Sequence, residues 1–321
     1  MHSRNTGAAQ RPDVIRMNTH FIKRMVLCAD DYALNASVSQ GIVNLARAKR
    51  LSATSVMTLS PRWSEDAPAL RELRGVIDVG LHLDWTSEFA QQAGHGNSLG
   101  AVMWQSLRGA LHAGAVREVI ERQLDAFELH WQAAPDHVDG HQHVQQFSGV
   151  REVLVDVLQQ RYGAQAHRPW LRVSQVAQSD VKSHIITWMG ASSLLQWAEQ
   201  HAWPVASPLL GAYGFDGDVA GYATRMQHWM KSLPTDLAQA QTTAHNLTTP
   251  NDLLLHNSPA PNSSPPIIMC HPALQAQDDD AIGAARAREY AYFNSPEFEL
   301  HRQQLGVQLC RGQHLMSTET A

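Results

Sequence analysis

Two adjacent carboxylates, Asp30 and Asp31, close the apolar run of "VLCADDYALN". Successive side chains of an extended strand point to opposite faces, so each aspartate needs its own partner. Three other polar groups also sit where an apolar run ends: His82 and Asp84 in "GLHLDW", Asp136, Asp139, His141 and His143 in "PDHVDGHQH", and His271 in "MCHP". Two imidazoles and a carboxylate form a metal site with room left for water, whose pKa the metal lowers. One aspartate of the pair can then ligate while the other stays free as a general base. If the strand continues that far, His141 and His143 alternate onto one side, where one can ligate and the other support it or touch substrate.

Taken singly, each of these residues has a structural reading. Asp84 and Asp136 read more naturally as turn and strand-start hydrogen-bonders. With 18 histidines in the chain, spacing has to do the sorting. The remaining histidines that fall in helices or polar loops read as solvated.

Strands and helices alternate to position these groups. Lys23–Ala29 reads as a buried strand, with a helix from about Ser37 to Ala48, a second strand in "LSATSVMTL", a helix opening at "SEDAPALREL" and a third strand in "GVIDVGLHLDW". "AVREVIERQLDAFELHW" and "VREVLVDVLQQRYG" carry apolar residues at helical spacing, on either side of the strand and loop of "PDHVDGHQH". Helices are expected near Ser192–His201 and Val219–Ser232, and a short strand in "PPIIMCHP". This alternation predicts parallel strands joined by crossover helices, hence a (β/α) barrel or doubly wound sheet, with the site at the carboxyl ends of the strands. The four polar groups then converge, with His271 expected across the barrel mouth from the first strand.

The 321 residues carry a formal charge of -5 with no long basic block, which argues against nucleic acid or an anionic membrane as partner. Three cysteines without metal-type spacing point to free thiols and a cytoplasmic location. No apolar run approaches the roughly 20 residues of a membrane helix. Residues 1–20 read as a disordered leader, 21–305 as a single domain with a polar insertion at about 234–265, and 306–321 as a C-terminal tail. A homodimer is compatible with this sequence, which has no feature that sets the assembly.

The stretches "VLCADDYALNASVSQGIVNLARAKRLSATSVM", "DVGLHLDWT", "PDHVDGHQHVQQF" and "IIMCHP", in this order between Lys23 and Tyr290, resemble the YdjC-like carbohydrate deacetylases of the ChbG/HpnK group. The resemblance implies an irregular (β/α) barrel of the α/β class and a hydrolase that uses a divalent metal to remove acetyl groups from N-acetylated sugars or oligosaccharides. It implies Asp31, His82 and His141 as metal ligands, Asp30 as the base and His271 as the acid that protonates the leaving amine. His143, Asp84 and Tyr32 are candidates for substrate contact. Mg²⁺ is the first expectation for the metal, ahead of Zn²⁺, Mn²⁺ or Ni²⁺. Tyr32-Ala33 stands where the family commonly has Phe-Gly, and the loop from Ser87 to Gly114 is distinctive. Two other readings fit parts of the pattern: a non-haem Fe(II) oxygenase, which also uses two histidines and a carboxylate, and a barrel that binds sugar or metal without turnover.

Overall fold

The computed structural model describes residues 23–175, 190–235 and 264–316. The expected leader and most of the expected polar insertion lie outside them. The strands are β1 (Lys23–Tyr32), β2 (Ala53–Val56), β3 (Asp78–Leu83), β4 (His137–Gly140), β5 (Trp170–Arg172), β6 (Val205–Ala206), β7 (Leu209–Leu210), β8 (Ile267–Cys270) and β9 (Val307–Leu309). They pair in the order β6-β5-β4-β3-β2-β1-β8-β7, every pairing parallel, with β9 added to the start of β1. The segment from β6 to β7 nearly closes the ring: β6 pairs with β5, β7 pairs with β8, and the Leu209 N–H donates back to the Gln175 carbonyl at 3.0 Å. The result is an irregular (β/α) barrel.

Alternation along the strands separates two apolar layers. Val26, Cys28, Ala53, Trp170, Ala206, Leu209, Ile267 and Met269 form one buried cluster inside the barrel. Met25, Leu27, Ala29, Val79, Leu81, Val138, Leu171 and Ile268 belong to the larger cluster shared with the helices. The inward positions nearest the carboxyl ends are polar: Asp30 on β1, His82 on β3, Asp139 on β4 and Arg172 on β5. Below them, the His137 ring stacks on Trp170 at 4.2 Å. Gly80 leaves room for it, since a Cβ there would come within 2.4 Å of that ring.

All six expected helices are present, at Ala36–Arg47, Trp63–Arg71, Ala113–Trp131, Arg151–Tyr162, Ala191–Gln200 and Val219–Ser232. The distinctive loop carries two short helices, Glu88–Gln92 and Leu99–Leu107. The expected C-terminal tail is corrected. From residue 307 the chain forms β9 and the helix Gly312–Met316, and Arg311 and the Gln313 N–H both bond to Asp78 at the start of β3. These contacts fix it against the amino-terminal end of the barrel, away from the site. Among the described residues, no helix is long and apolar enough to cross a membrane.

Candidate active site

A backbone irregularity resolves how neighbouring aspartates serve one site. The β1–β2 register slips between Ala29 and Tyr32, and Asp31 takes a left-handed φ of 68°. Asp30 keeps the inward direction of Val26 and Cys28, while the slip turns Asp31 to the rim instead of into the helix layer. Behind it, Asn35 caps the helix Ala36–Arg47 by accepting the Val38 N–H at 2.9 Å, and Leu34 N–H donates to the Asp31 carbonyl at 3.0 Å. Ala33 is also left-handed, at φ 71°, a conformation for which glycine is the residue of lowest strain.

Asp31 Oδ1 lies 3.3 Å from His82 Nε2 and 3.2 Å from His141 Nδ1, and Asp31 Oδ2 accepts from Arg286 at 2.7 Å. Burial opposes ionisation of Asp31, but Arg286 and the two imidazoles outweigh it and hold the carboxyl well below its usual range. His82 Nδ1 donates to Asp139 Oδ1 at 2.6 Å, which leaves Nε2 to face Asp31. Burial lowers the His82 pKa, yet Asp139, Asp31 and Asp30 together raise it to about 10. The protein thus stabilises a positive charge at this point.

That electrostatic demand, with three converging donor atoms, fits a divalent cation held by Asp31, His82 and His141. Among the described residues, two other groupings are close enough to ligate, Asp30 with His82 and Asp139, and Cys28 with His137 and Asp139. Asp31 gives only Oδ2 to Arg286 and keeps Oδ1 for the imidazoles, whereas both oxygens of the other carboxylates are engaged: His82 donates to Asp139 Oδ1, Ser55 Oγ donates to its Oδ2 at 2.5 Å with Arg172 at 3.1 Å, and Arg172 grips both oxygens of Asp30. The Cys28 thiol is held neutral, its pKa pushed well up by burial and by Asp30. Only the first grouping reaches the mouth, through the 21% exposed side chain of His141.

Arg172 donates to Asp30 Oδ1 at 2.6 Å and to Oδ2 at 2.9 Å. His271 Nε2 lies 3.9 Å from Asp30 Oδ2. Here the structure corrects the expected placement: β8 is the hydrogen-bonded neighbour of β1, with Cys270 beside Ala29, so His271 stands next to Asp30 and not across the mouth. The ring is nearly closed, and the late strand β8 lies beside the first.

The expected alternation of His141 and His143 is also corrected. The strand stops at Gly140, and His141–Gln146 forms a 3₁₀ turn in which Gln142 and His143 have φ of 52° and 63°. His143 still stays near the centre: its Nδ1 is 2.9 Å from Ser174 Oγ, and burial, followed by Arg172, lowers its pKa to about 3, keeping the ring neutral. Tyr32 and Asp84 are placed elsewhere. Tyr32 is fully buried, its hydroxyl donating to the Asp66 carbonyl at 2.8 Å. Asp84 is fully buried too, its carboxylate accepting from the N–H groups of Thr86 and Ser87, both at 3.0 Å, and from the Ser87 hydroxyl. Neither offers a free polar group to a ligand.

Residues 24–303 match the family described as YdjC-like protein. Mouse and human proteins named carbohydrate deacetylase are each 31% identical over 157 residues, 45% of this chain and 50% and 48% of their own lengths. The chain therefore spans about half the length of the curated relatives it matches. A crystal structure of an Enterococcus faecalis V583 protein named for cellobiose-phosphate cleavage aligns at a TM-score of 0.64 and 16% identity, covering 92% of this chain and 99% of that one, a likeness of fold. The family match begins in β1 and runs through every strand that carries the site, and the chain belongs to the YdjC-like family.

Proposed function

We propose that the protein is a metal-dependent carbohydrate N-deacetylase that hydrolyses the acetamide of an N-acetylated sugar, oligosaccharide or related glycoconjugate. The observation that carries this reading is the placement of a Asp31–His82–His141 donor set beside a carboxylate, Asp30, and an imidazole, His271, that do not belong to it. The name of the mouse and human relatives supports the same substrate class.

A divalent cation bound by the three donors supplies polarisation of the acetyl carbonyl and acidification of water. Asp30 takes the proton of the attacking water, with both its oxygens held in direction by Arg172. Water oxygen and leaving nitrogen share one carbon at that moment, so a base and an acid 3.9 Å apart can serve both atoms from one side. His271 protonates the nitrogen, the C–N bond breaks, and acetate and the free amine leave. Asp139 orients His82, and Arg286 holds the second oxygen of Asp31. A pure binding barrel has no use for the Asp30–His271 pair. The strand–helix alternation also sets the chain apart, by analogy of fold alone, from the mostly all-β Fe(II) oxygenases.

The test is acetate release from a panel of N-acetylated saccharides by metal-stripped protein and by protein restored with Mg²⁺, Mn²⁺, Zn²⁺ or Ni²⁺. Release that depends on the restored metal supports the reading. No release from any saccharide with any metal would overturn it.

A further inference from the structure

The helix Gly283–Asn294 presents Arg286 to Asp31 and, one turn later, Glu289 to the end of β8. Glu289 is fully buried, yet it is not one of the groups assigned above to metal or proton transfer. Its Oε2 accepts the backbone N–H of His271 at 2.5 Å, and its Oε1 accepts the hydroxyl of Tyr213 at 2.6 Å. Tyr213 belongs to the segment after β7, whose Phe215 sets its ring edge-on to His271 with centroids 5.4 Å apart. Phe215 itself packs on Tyr213 at 4.9 Å and holds a left-handed φ of 57°, a strained conformation for an aromatic residue. Arg288 completes the chain, donating to the Tyr213 hydroxyl at 3.4 Å and to the Gly217 carbonyl at 2.8 Å.

We propose that Glu289 is a positioning residue that locks His271 and the Tyr213–Phe215 segment into one unit, so that the acid and the aromatic wall beside it hold one arrangement relative to the substrate. A buried carboxylate between two donors is a strict ruler. Each bond is short and charge-assisted, and losing either partner leaves a desolvated group unpaired. The half-buried Phe215 ring gives the sugar an apolar surface beside the group that protonates its nitrogen. This inference rests on the deacetylase reading for its kinetic arm only.

Glu289→Gln keeps the volume but offers one carbonyl oxygen to two donors, and Tyr213→Phe removes only the hydroxyl. In metal-loaded protein that keeps its thermal midpoint within a few degrees, Glu289→Gln is expected to lower kcat on an N-acetylated saccharide by about ten- to a hundredfold with KM nearly unchanged, the loss that a small misplacement of a reacting group brings. Tyr213→Phe is expected to raise KM more than it lowers kcat. In protein labelled with ¹⁵N-histidine, the His271 imidazole signals should shift in both variants while those of His82 and His141 stay in place. Unshifted His271 signals in Glu289→Gln, or shifts that include His82 and loss of metal, would overturn the proposal. If wild-type protein releases acetate from no saccharide, the deacetylase reading fails, and the imidazole signals still decide whether Glu289 and His271 are coupled.

Discussion

Arg172 grips Asp30 with both terminal nitrogens, at 2.6 and 2.9 Å, and touches Asp139 with one of them at 3.1 Å, all without measurable exposure of the arginine. One guanidinium therefore balances two buried carboxylates at the centre of the barrel mouth. Arg172→Met leaves Asp30 buried without its cation and Asp139 with His82 alone to balance its charge, and breaking a buried pair in this way typically destabilises by about 3–5 kcal/mol. Arg172→Lys keeps the charge but loses the fork, so it should unfold at a urea midpoint between Met and wild type while activity falls further than stability. Equal midpoints for wild type and Arg172→Met would show that this pair does not carry the balance assigned to it.

Asp30 and Asp31 are neighbours in sequence to which the proposed reaction gives different duties, and Asp30→Asn separates them. The amide cannot take a proton from water, so turnover should fall by roughly two to four orders of magnitude, the usual weight of a general base. Metal content should hold, because Asp30 is outside the donor set. Loss of metal on this substitution would mean that the duties of Asp30 and Asp31 are exchanged.

Alanine at Asp31, His82 or His141 is expected to remove metal and activity together, measured by elemental analysis beside acetate release. The helical and near-ultraviolet dichroism should persist, since the three side chains sit at the barrel rim above the apolar interior cluster. A His82→Ala protein with full metal occupancy would remove that residue from the donor set.

The candidate donors stood out in the sequence because they fall where apolar runs end, and such runs in an alternating strand–helix chain point to one barrel end; which aspartate and which histidine would ligate is implied by the family resemblance alone. The residues that orient the set were not visible in this way. Arg172 lies in a strand of only three residues, "WLR", too short for periodicity, although an arginine alternating with apolar residues is a signal for a buried ion pair. Arg286 and Glu289 sit on a helix whose "ARAREY" reads as a solvated face, and only packing against β1 and β8 reveals that both are buried. The position of His271 depends on which strands pair. Strand order is a property of closure, so sequence alone placed the imidazole at the mouth but on its wrong side.

A titration at the opposite end of the barrel gives a test that does not involve the metal. Burial, followed by the neighbouring Asp78 charge, raises the Asp136 pKa to about 7. An ordinary aspartate titrates near 3.9, so between about pH 4 and 7 the unfolded chain has lost a proton that the folded protein keeps. This group therefore favours the fold fully below pH 4, and its contribution declines as pH rises to about 7. Asp136→Asn still accepts the Val79 N–H, a bond of 2.7 Å in the native protein, without the charge. Urea midpoints from pH 4 to 8 should fall less with rising pH in the variant than in wild type. Parallel curves would show that Asp136 ionises in the folded protein as it does in the unfolded chain.

His271 provides the test of chemistry most specific to its place beside Asp30. If the imidazole protonates the departing nitrogen, its removal should slow a sugar acetamide far more than an activated acetyl ester, because a good leaving group needs little help from an acid. A histidine that only packs, here edge-on to Phe215, would on removal slow both substrates by about the same factor. The adjacent Asp30 sharpens the comparison, since His271→Ala leaves the base and its Arg172 clamp in place, and attack on the ester can proceed. Rates for both substrates in wild-type and His271→Ala protein, with metal content measured alongside, should therefore diverge by about two orders of magnitude or more, within the range of a general acid. Equal losses at unchanged metal content would remove the acid role and leave His271 as a residue that shapes the pocket.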